Sequence, residues 1–135
     1  MDKMRSIKAK HKAFYDPIAD LVTYRALPTP LMTMNQLDPF IFLNHHGRQE
    51  YLPGNAGLPF GLHPHRGIET ITFILEGELM HKDSRGAASI IKAGGVQWMT
   101  AGSGLIHAEI SSDDFKKEWW PVGNFATLDK SACKI

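Results

Sequence analysis

Residues 63–86 read HPHRGIETITFILEGELMHKDSRG, and the spacing of apolar runs and turn residues in this stretch decides the fold class. Ile68 to Leu75 is a run rich in β-branched and aromatic residues, closed by the turn Glu76-Gly77-Glu78. Leu79 to Lys82 is the next short strand, and Asp83-Ser84-Arg85-Gly86 the next turn. The pattern continues in both directions. Toward the C-terminus, Ala88 to Ile91 is a strand, Ala93-Gly94-Gly95 turns the chain into Val96 to Thr100, and Ala101-Gly102-Ser103-Gly104 turns it into Leu105 to Ile110. Toward the N-terminus, Gly47 to Pro59 reads as a loop and Phe40 to Leu43 as a strand entered through Asp38-Pro39. Leu21 to Leu27 is a further strand, stopped by Pro28 and Pro30. Strands this short and this closely spaced, with glycine at the turns, predict a single all-β domain, an antiparallel sandwich or barrel. No stretch of this region keeps helical periodicity for three turns, and no internal repeat is present.

Composition narrows the function classes. A hydrophobic share of 43% with 21% charged residues fits a globular chain with enough apolar side chains for a core. The formal net charge of +1 gives no global reason to expect a nucleic-acid or membrane partner. Lys3, Arg5, Lys8, Lys10 and Lys12 cluster near the start and read as a solvated arm rather than a phosphate-binding tail. Cys133 is the one cysteine, so no intrachain disulfide forms, which fits a reducing compartment. With no signal peptide pattern and no apolar run of membrane-spanning length, a cytoplasmic location is expected.

Two histidine pairs carry the chemistry. In His63-Pro64-His65 the imidazoles are two residues apart, so an extended backbone points both to one face. Pro64 has no N–H to donate, which places this segment at a strand end or sheet edge. His107-Ala108-Glu109 repeats the spacing on a second strand with an imidazole and a carboxylate. His63, His65, His107 and Glu109 can therefore converge on one ion. That donor set suits Fe(II), Mn(II), Co(II), Ni(II), Cu(II) or Zn(II) better than the oxygen-seeking Ca(II) or Mg(II). Four protein ligands on a six-coordinate ion leave two positions for a substrate and O2, or for water. The adjacent His45 and His46 point to opposite faces and read as structural or surface residues. His81 reads as a solvated strand residue, with a supporting role behind the ligands as the alternative. Glu69 shares parity with the histidines and faces the pocket only if no bulge intervenes at Gly67. Trp98 and Met99 read as core rather than substrate contacts.

At these residues the sequence closely resembles the pirin family, a branch of the cupin superfamily. The matching stretches are Arg25-Ala26-Leu27-Pro28, Leu37-Asp38-Pro39-Phe40, the quoted residues 63–86, and GGVQWMTAGSGLIHAE from Gly94 to Glu109. The resemblance implies a single cupin-type antiparallel β-barrel, the double-stranded β-helix or jelly roll. It also implies one metal, usually iron, held by His63, His65, His107 and Glu109. Family members resemble one another in carrying two barrels in one longer chain. Some bacterial relatives are described as quercetin 2,3-dioxygenases and animal members as iron-dependent transcriptional cofactors, so the resemblance implies two functions. For the enzyme, Fe(II) is the expected metal, a flavonol-like molecule and O2 are the expected partners, and Glu109 takes the substrate proton.

The resemblance stops after Lys117. Residues 1–117 thus read as a pirin-like N-terminal cupin domain and residues 118–135 as a divergent tail. Back-translating EWWPVGNFATLDKSACKI and reading one nucleotide later permits (N/S)GGPLEILQLWINLPAK, which has the form of the family's usual continuation. A frameshift near codon 117 or 118 accounts for this, and the tail then stands in place of the last strand and the second cupin domain. The loss of that strand is expected to expose a sheet edge and favour a homodimer. Val122 to Leu128 is strand-compatible and offers a partial substitute. A binding protein without turnover, or a decayed gene product, are the competing expectations.

Overall fold

The structure, a computed structural model, describes residues 6–7, 9–117 and 120–131. Lys3, Arg5, Lys8 and Cys133, together with tail residues 118–119 and 132–135, lie outside the described residues.

Among the described residues, ten strands make two antiparallel sheets. In chain order they are β1 (Phe14–Tyr15), β2 (Thr23–Leu27), β3 (Phe40–Tyr51), β4 (Phe60–His65), β5 (Ile68–Glu76), β6 (Glu78–Asp83), β7 (Ala88–Lys92), β8 (Val96–Thr100), β9 (Leu105–Ile110) and β10 (Trp120–Ser131). Two short helices, α1 (Met34–Leu37) and α2 (Asp113–Lys117), interrupt them. The larger sheet runs β1-β2-β3-β10-β5-β8 and the smaller β4-β9-β6-β7. No described helix is long and apolar enough to cross a membrane.

Alternation along the strands generates the core. On β5, Thr70, Thr72 and Ile74 are buried, while Phe73 and Leu75 between and beyond them are exposed. Gly77, with φ of 79°, makes the turn into β6, a conformation that a Cβ would strain. Leu79 and His81 then point inward. Leu21, Tyr51, Leu58, Ile74, Leu79 and Phe115 form the main apolar cluster, and Met99, Ala101 and Leu105 a second one. Burying a side chain the size of Leu79 or Phe115 contributes about 1.5–3 kcal/mol. Phe115 reaches the core from α2 and meets Tyr51 edge-on at 5.3 Å. The Ser112 hydroxyl caps that helix by accepting the Phe115 N–H at 3.0 Å. At five residues, α2 is too short for helical periodicity to register.

The all-β antiparallel reading agrees with this architecture, and strands β4 to β9 fall where the sequence places them. Three details differ. The segment read as a loop from Gly47 begins as strand, because β3 continues to Tyr51 and pairs with β10 at Gln49 and Tyr51. Trp98 is 63% exposed rather than in the core, because Gln97 and Met99 take the inward positions of β8. The gap expected from a lost last strand is also filled. β10 runs between β3 and β5, its Thr127 opposite Asn44 on one side and Thr72 on the other. The tail supplies a central strand of the larger sheet.

Candidate metal centre

β4 and β9 pair so that His63 lies directly opposite His107, and β4 is an edge strand, as Pro64 requires. His65 shares the His63 face, and the three rings converge with centroids 4.4 Å (His63–His107), 4.8 Å (His65–His107) and 4.9 Å (His63–His65) apart. One ligand nitrogen from each ring lies within 4.8 Å of the others. His107 is fully buried, whereas His63 and His65 are half-buried, so the cluster has a closed back and an open front.

Glu109 is buried on the same face of β9 and lines a cavity of about 150 Å³ together with His63 and His65. The Thr72 hydroxyl donates to Glu109 Oε1 at 3.2 Å. The carboxylate therefore stands beside the three-imidazole cluster without being one of its converging ligand atoms. Phe42 and Phe60 give the cavity an apolar wall, and Asn44, His46 and Thr70 a polar one.

The protonation states suit a metal. Burial and the neighbouring His63, His65 and His81 push His107 down to about 3, with Asp83 opposing. Burial and His63 lower His65 as well. Metal ligation needs neutral imidazoles, so these ligands bring no proton that a metal must displace at neutral pH. The His63 Nδ1 lies 2.7 Å from the Gly61 carbonyl, which only accepts, so Nδ1 carries the proton and Nε2 carries a lone pair. That lone pair faces His107 Nε2 at 2.9 Å. Two nitrogens bound at about 2.1 Å to one ion, at roughly a right angle, stand about 3 Å apart. The residues fit a divalent metal.

Several neighbours of the site depart from the sequence reading. His81 is buried, 6% exposed, not solvated; it shares inward parity with Leu79, and that parity is the signal that could have found it. Its Nδ1 lies 3.4 Å from His107 Nδ1. Asp83, beside it, is pulled upward by burial, but hydrogen bonds from His81 and from the Ala87 and Arg85 N–H groups outweigh this and hold it below the usual carboxylate range. His46 is buried against Thr23 and lines the cavity, and burial and His45 lower it to about 4; His45 is exposed. Glu69 does not line the cavity. The chain turns at Gly67, with φ of 70°, and the β5 positions facing inward are Thr70 and Thr72.

Asn44 and Thr70 were not anticipated. Asn44 is fully buried, and neither its Oδ1 nor its Nδ2 has a hydrogen-bond partner among the described residues; the Thr70 hydroxyl is likewise unpartnered. A buried polar atom without a partner costs about 1–3 kcal/mol, a cost that a water or the polar atoms of a ligand in this cavity would relieve.

Residues 21–122 match the sequence pattern of the Pirin family. A candidate quercetin 2,3-dioxygenase of Pseudomonas aeruginosa is 39% identical over 100 residues, 74% of this chain and 33% of that protein. A pirin-like protein of Caulobacter vibrioides is 43% identical over 90 residues, 67% of this chain and 31% of that one. The crystal structure of a quercetin 2,3-dioxygenase from Acinetobacter baumannii superposes with a TM-score of 0.77 at 32% identity, covering 90% of this chain and 38% of that one. The chain spans about a third of the length of the curated relatives it matches.

Proposed function

Because this chain belongs to the pirin family, we propose that it is a metal-dependent oxygenase of the quercetin 2,3-dioxygenase type, with His63, His65, His107 and Glu109 as its metal ligands and Fe(II) as its metal. The observation that carries the metal is the convergence of three imidazole nitrogens within 4.8 Å. When bound, the metal supplies a Lewis-acid and redox centre at which an enol-type hydroxyl and O2 react. The protein's own part is positional. His63 and His65 reach in from an edge strand and His107 holds the closed back of the site. Glu109, oriented by the Thr72 hydroxyl, lines the same cavity as His63 and His65, from which it would complete the ligand set and accept the hydroxyl proton of the substrate.

The cavity limits how a substrate enters. Drug-sized ligands ordinarily occupy about 300–1,000 Å³, and about 150 Å³ is present here. Only the hydroxyl-and-carbonyl edge of a flavonol fits between Phe42 and Phe60, with its remaining rings outside. Asn44 and Thr70 offer that edge one amide and one hydroxyl that have no other partner among the described residues.

The deciding experiment measures metal per chain by elemental analysis after anaerobic Fe(II) loading, on the wild type and on His63→Ala, followed by O2 uptake with quercetin. Near-stoichiometric metal lost in the variant, with uptake by the wild type, is expected. Metal without uptake sinks the oxygenase reading and leaves a metal-binding protein. A homodimer remains part of the proposal, now through an open edge strand such as β8 rather than a gap left by the tail; a purely monomeric sedimentation profile removes it.

A further inference from the structure

Behind His107, on the side away from His63, a chain of hydrogen-bonding groups runs to Asp83. Asp83 Oδ1 accepts the Arg85 N–H at 2.9 Å and the Ala87 N–H at 3.0 Å, and Oδ2 lies 3.3 Å from His81 Nε2. The backbone of the β6–β7 turn thus fixes this carboxylate as an acceptor. His81 Nδ1 lies 2.8 Å from the Gln97 amide nitrogen and 3.4 Å from His107 Nδ1. His81, Gln97 and His107 are all buried, so bulk water competes little for their partners.

The order of donors follows from one end. An ionised carboxylate only accepts, so His81 Nε2 carries the proton that points to Asp83. A neutral His81 then has a lone pair on Nδ1, which the Gln97 amide N–H and the His107 Nδ1–H share. A neutral His107 with its proton on Nδ1 has its lone pair on Nε2. That lone pair faces His63 Nε2, which the Gly61 carbonyl has already left as a lone pair. The opposite tautomer of His107 gives an ordinary hydrogen bond to His63, but it sets the His107 Nδ1 lone pair against the His81 Nδ1 lone pair at 3.4 Å.

We infer that His81, held by Asp83 and Gln97, is a positioning residue that fixes His107 in the Nδ1–H tautomer and so presents its Nε2 to the metal. The inference rests on the proposed metal site. It deepens that proposal by naming residues, absent from the expected ligand set, that determine how one ligand binds. A metal-bound imidazole generally gives its other N–H to an oriented acceptor, and loss of that partner lowers metal affinity about 10- to 100-fold.

The test uses Zn(II), which is diamagnetic, as the probe. Imidazole nitrogen NMR on the Zn(II)-loaded wild type is expected to show His107 bound through Nε2 and protonated on Nδ1, and His81 protonated on Nε2. Zn(II) affinity is then compared for wild type, Asp83→Asn and His81→Phe, with circular dichroism as the check on folding. A 10- to 100-fold loss in the variants at an unchanged spectrum supports the positioning role. Should His81→Phe fail to fold, the wild-type tautomers still decide. His107 bound through Nδ1, a proton on His81 Nδ1, or Asp83→Asn with wild-type affinity overturns this inference alone. A wild type that takes up no Zn(II) overturns the metal reading beneath it.

Discussion

Lowering the pH from 7 to 5 in the presence of a chelator is expected to remove about 4 kcal/mol of unfolding free energy from the metal-free protein, through His46 and His107. Both imidazoles are essentially inaccessible to water, 1% and 0% exposed. His46 is held down at about 4, by burial first and by His45 second. His107 is held at about 3, by burial first and then by three neighbouring imidazoles. In the unfolded chain both titrate near the ordinary histidine value of about 6.5. As the pH falls below that value the unfolded state takes up two protons that the native state refuses. The stability is therefore complete above about 6.5 and is lost progressively on acidification until the native-state values are reached. At pH 5 each residue sits roughly 1.5 units below its unfolded value, which at about 1.4 kcal/mol per unit is about 2 kcal/mol each. The result depends little on how far below 5 the native values lie, so it is insensitive to the coupling among the site histidines. With a urea m-value of about 2 kcal/mol/M, the midpoint drops by about 2 M. Urea titrations followed by far-ultraviolet circular dichroism at the two pH values measure it. His46→Gln, which has no proton to take up, is expected to show about half the drop. A wild-type midpoint unchanged between pH 7 and 5 would refute the claim that these imidazoles are kept neutral by burial.

Other outcomes follow from the same geometry. Bound Zn(II) competes with protons for the ligand histidines, so it is expected to stabilise the protein at pH 7 and to be released on acidification, as thermal melts with and without the metal check. At Gly95 an added Cβ would lie 2.5 Å from Ile91 Cγ2 and 2.8 Å from the Lys92 carbonyl. Gly95→Ala should cost about 1–3 kcal/mol in a urea titration. Asn44→Leu is expected to keep the metal, since Asn44 is outside the ligand cluster, and to raise the quercetin KM severalfold; an unchanged KM removes Asn44 from substrate recognition. Deleting residues 120–131 takes away the strand between β3 and β5 and is expected to abolish cooperative unfolding.

The strands legible in the sequence are those whose ends coincide with turn residues: β2, which stops at Pro28, and β5 to β9, which lie between glycine turns. Where a glycine sits inside a ladder the reading fails. Gly47 looks like a loop start, but its N–H donates to the Val22 carbonyl and β10 pairs with β3 beyond it at Gln49 and Tyr51, and those hydrogen bonds outweigh the weak strand preference of one residue. The convergence of His63, His65 and His107 was legible because parity puts His63 with His65 on one face and points His107 the same way as Glu109. The supporting residues were not, because their place depends on register across strands. Asp83 belongs to a turn in sequence yet stands opposite His107 in the sheet. Gln97 takes an inward position that hydrophobicity assigns to Trp98, and it is held there by His81.

The division of the site between the two sheets bears on what the C-terminal strand contributes. His63, His65, His107 and Glu109, with His81 and Asp83 behind them, all lie on β4, β9 and β6 of the smaller sheet, in which the tail has no strand. Among the described residues, the tail reaches the site through β10, whose Thr127 lines the cavity and lies 3.4 Å from the Thr72 hydroxyl that orients Glu109. The candidate ligand frame thus lies within residues 63–109, while one wall of the cavity depends on β10. Metal retention and substrate handling should therefore separate in this chain. Thr127→Val is expected to leave metal content unchanged and to alter turnover through Thr72 and Glu109. Loss of metal in that variant would mean that β10 shapes the ligand frame itself.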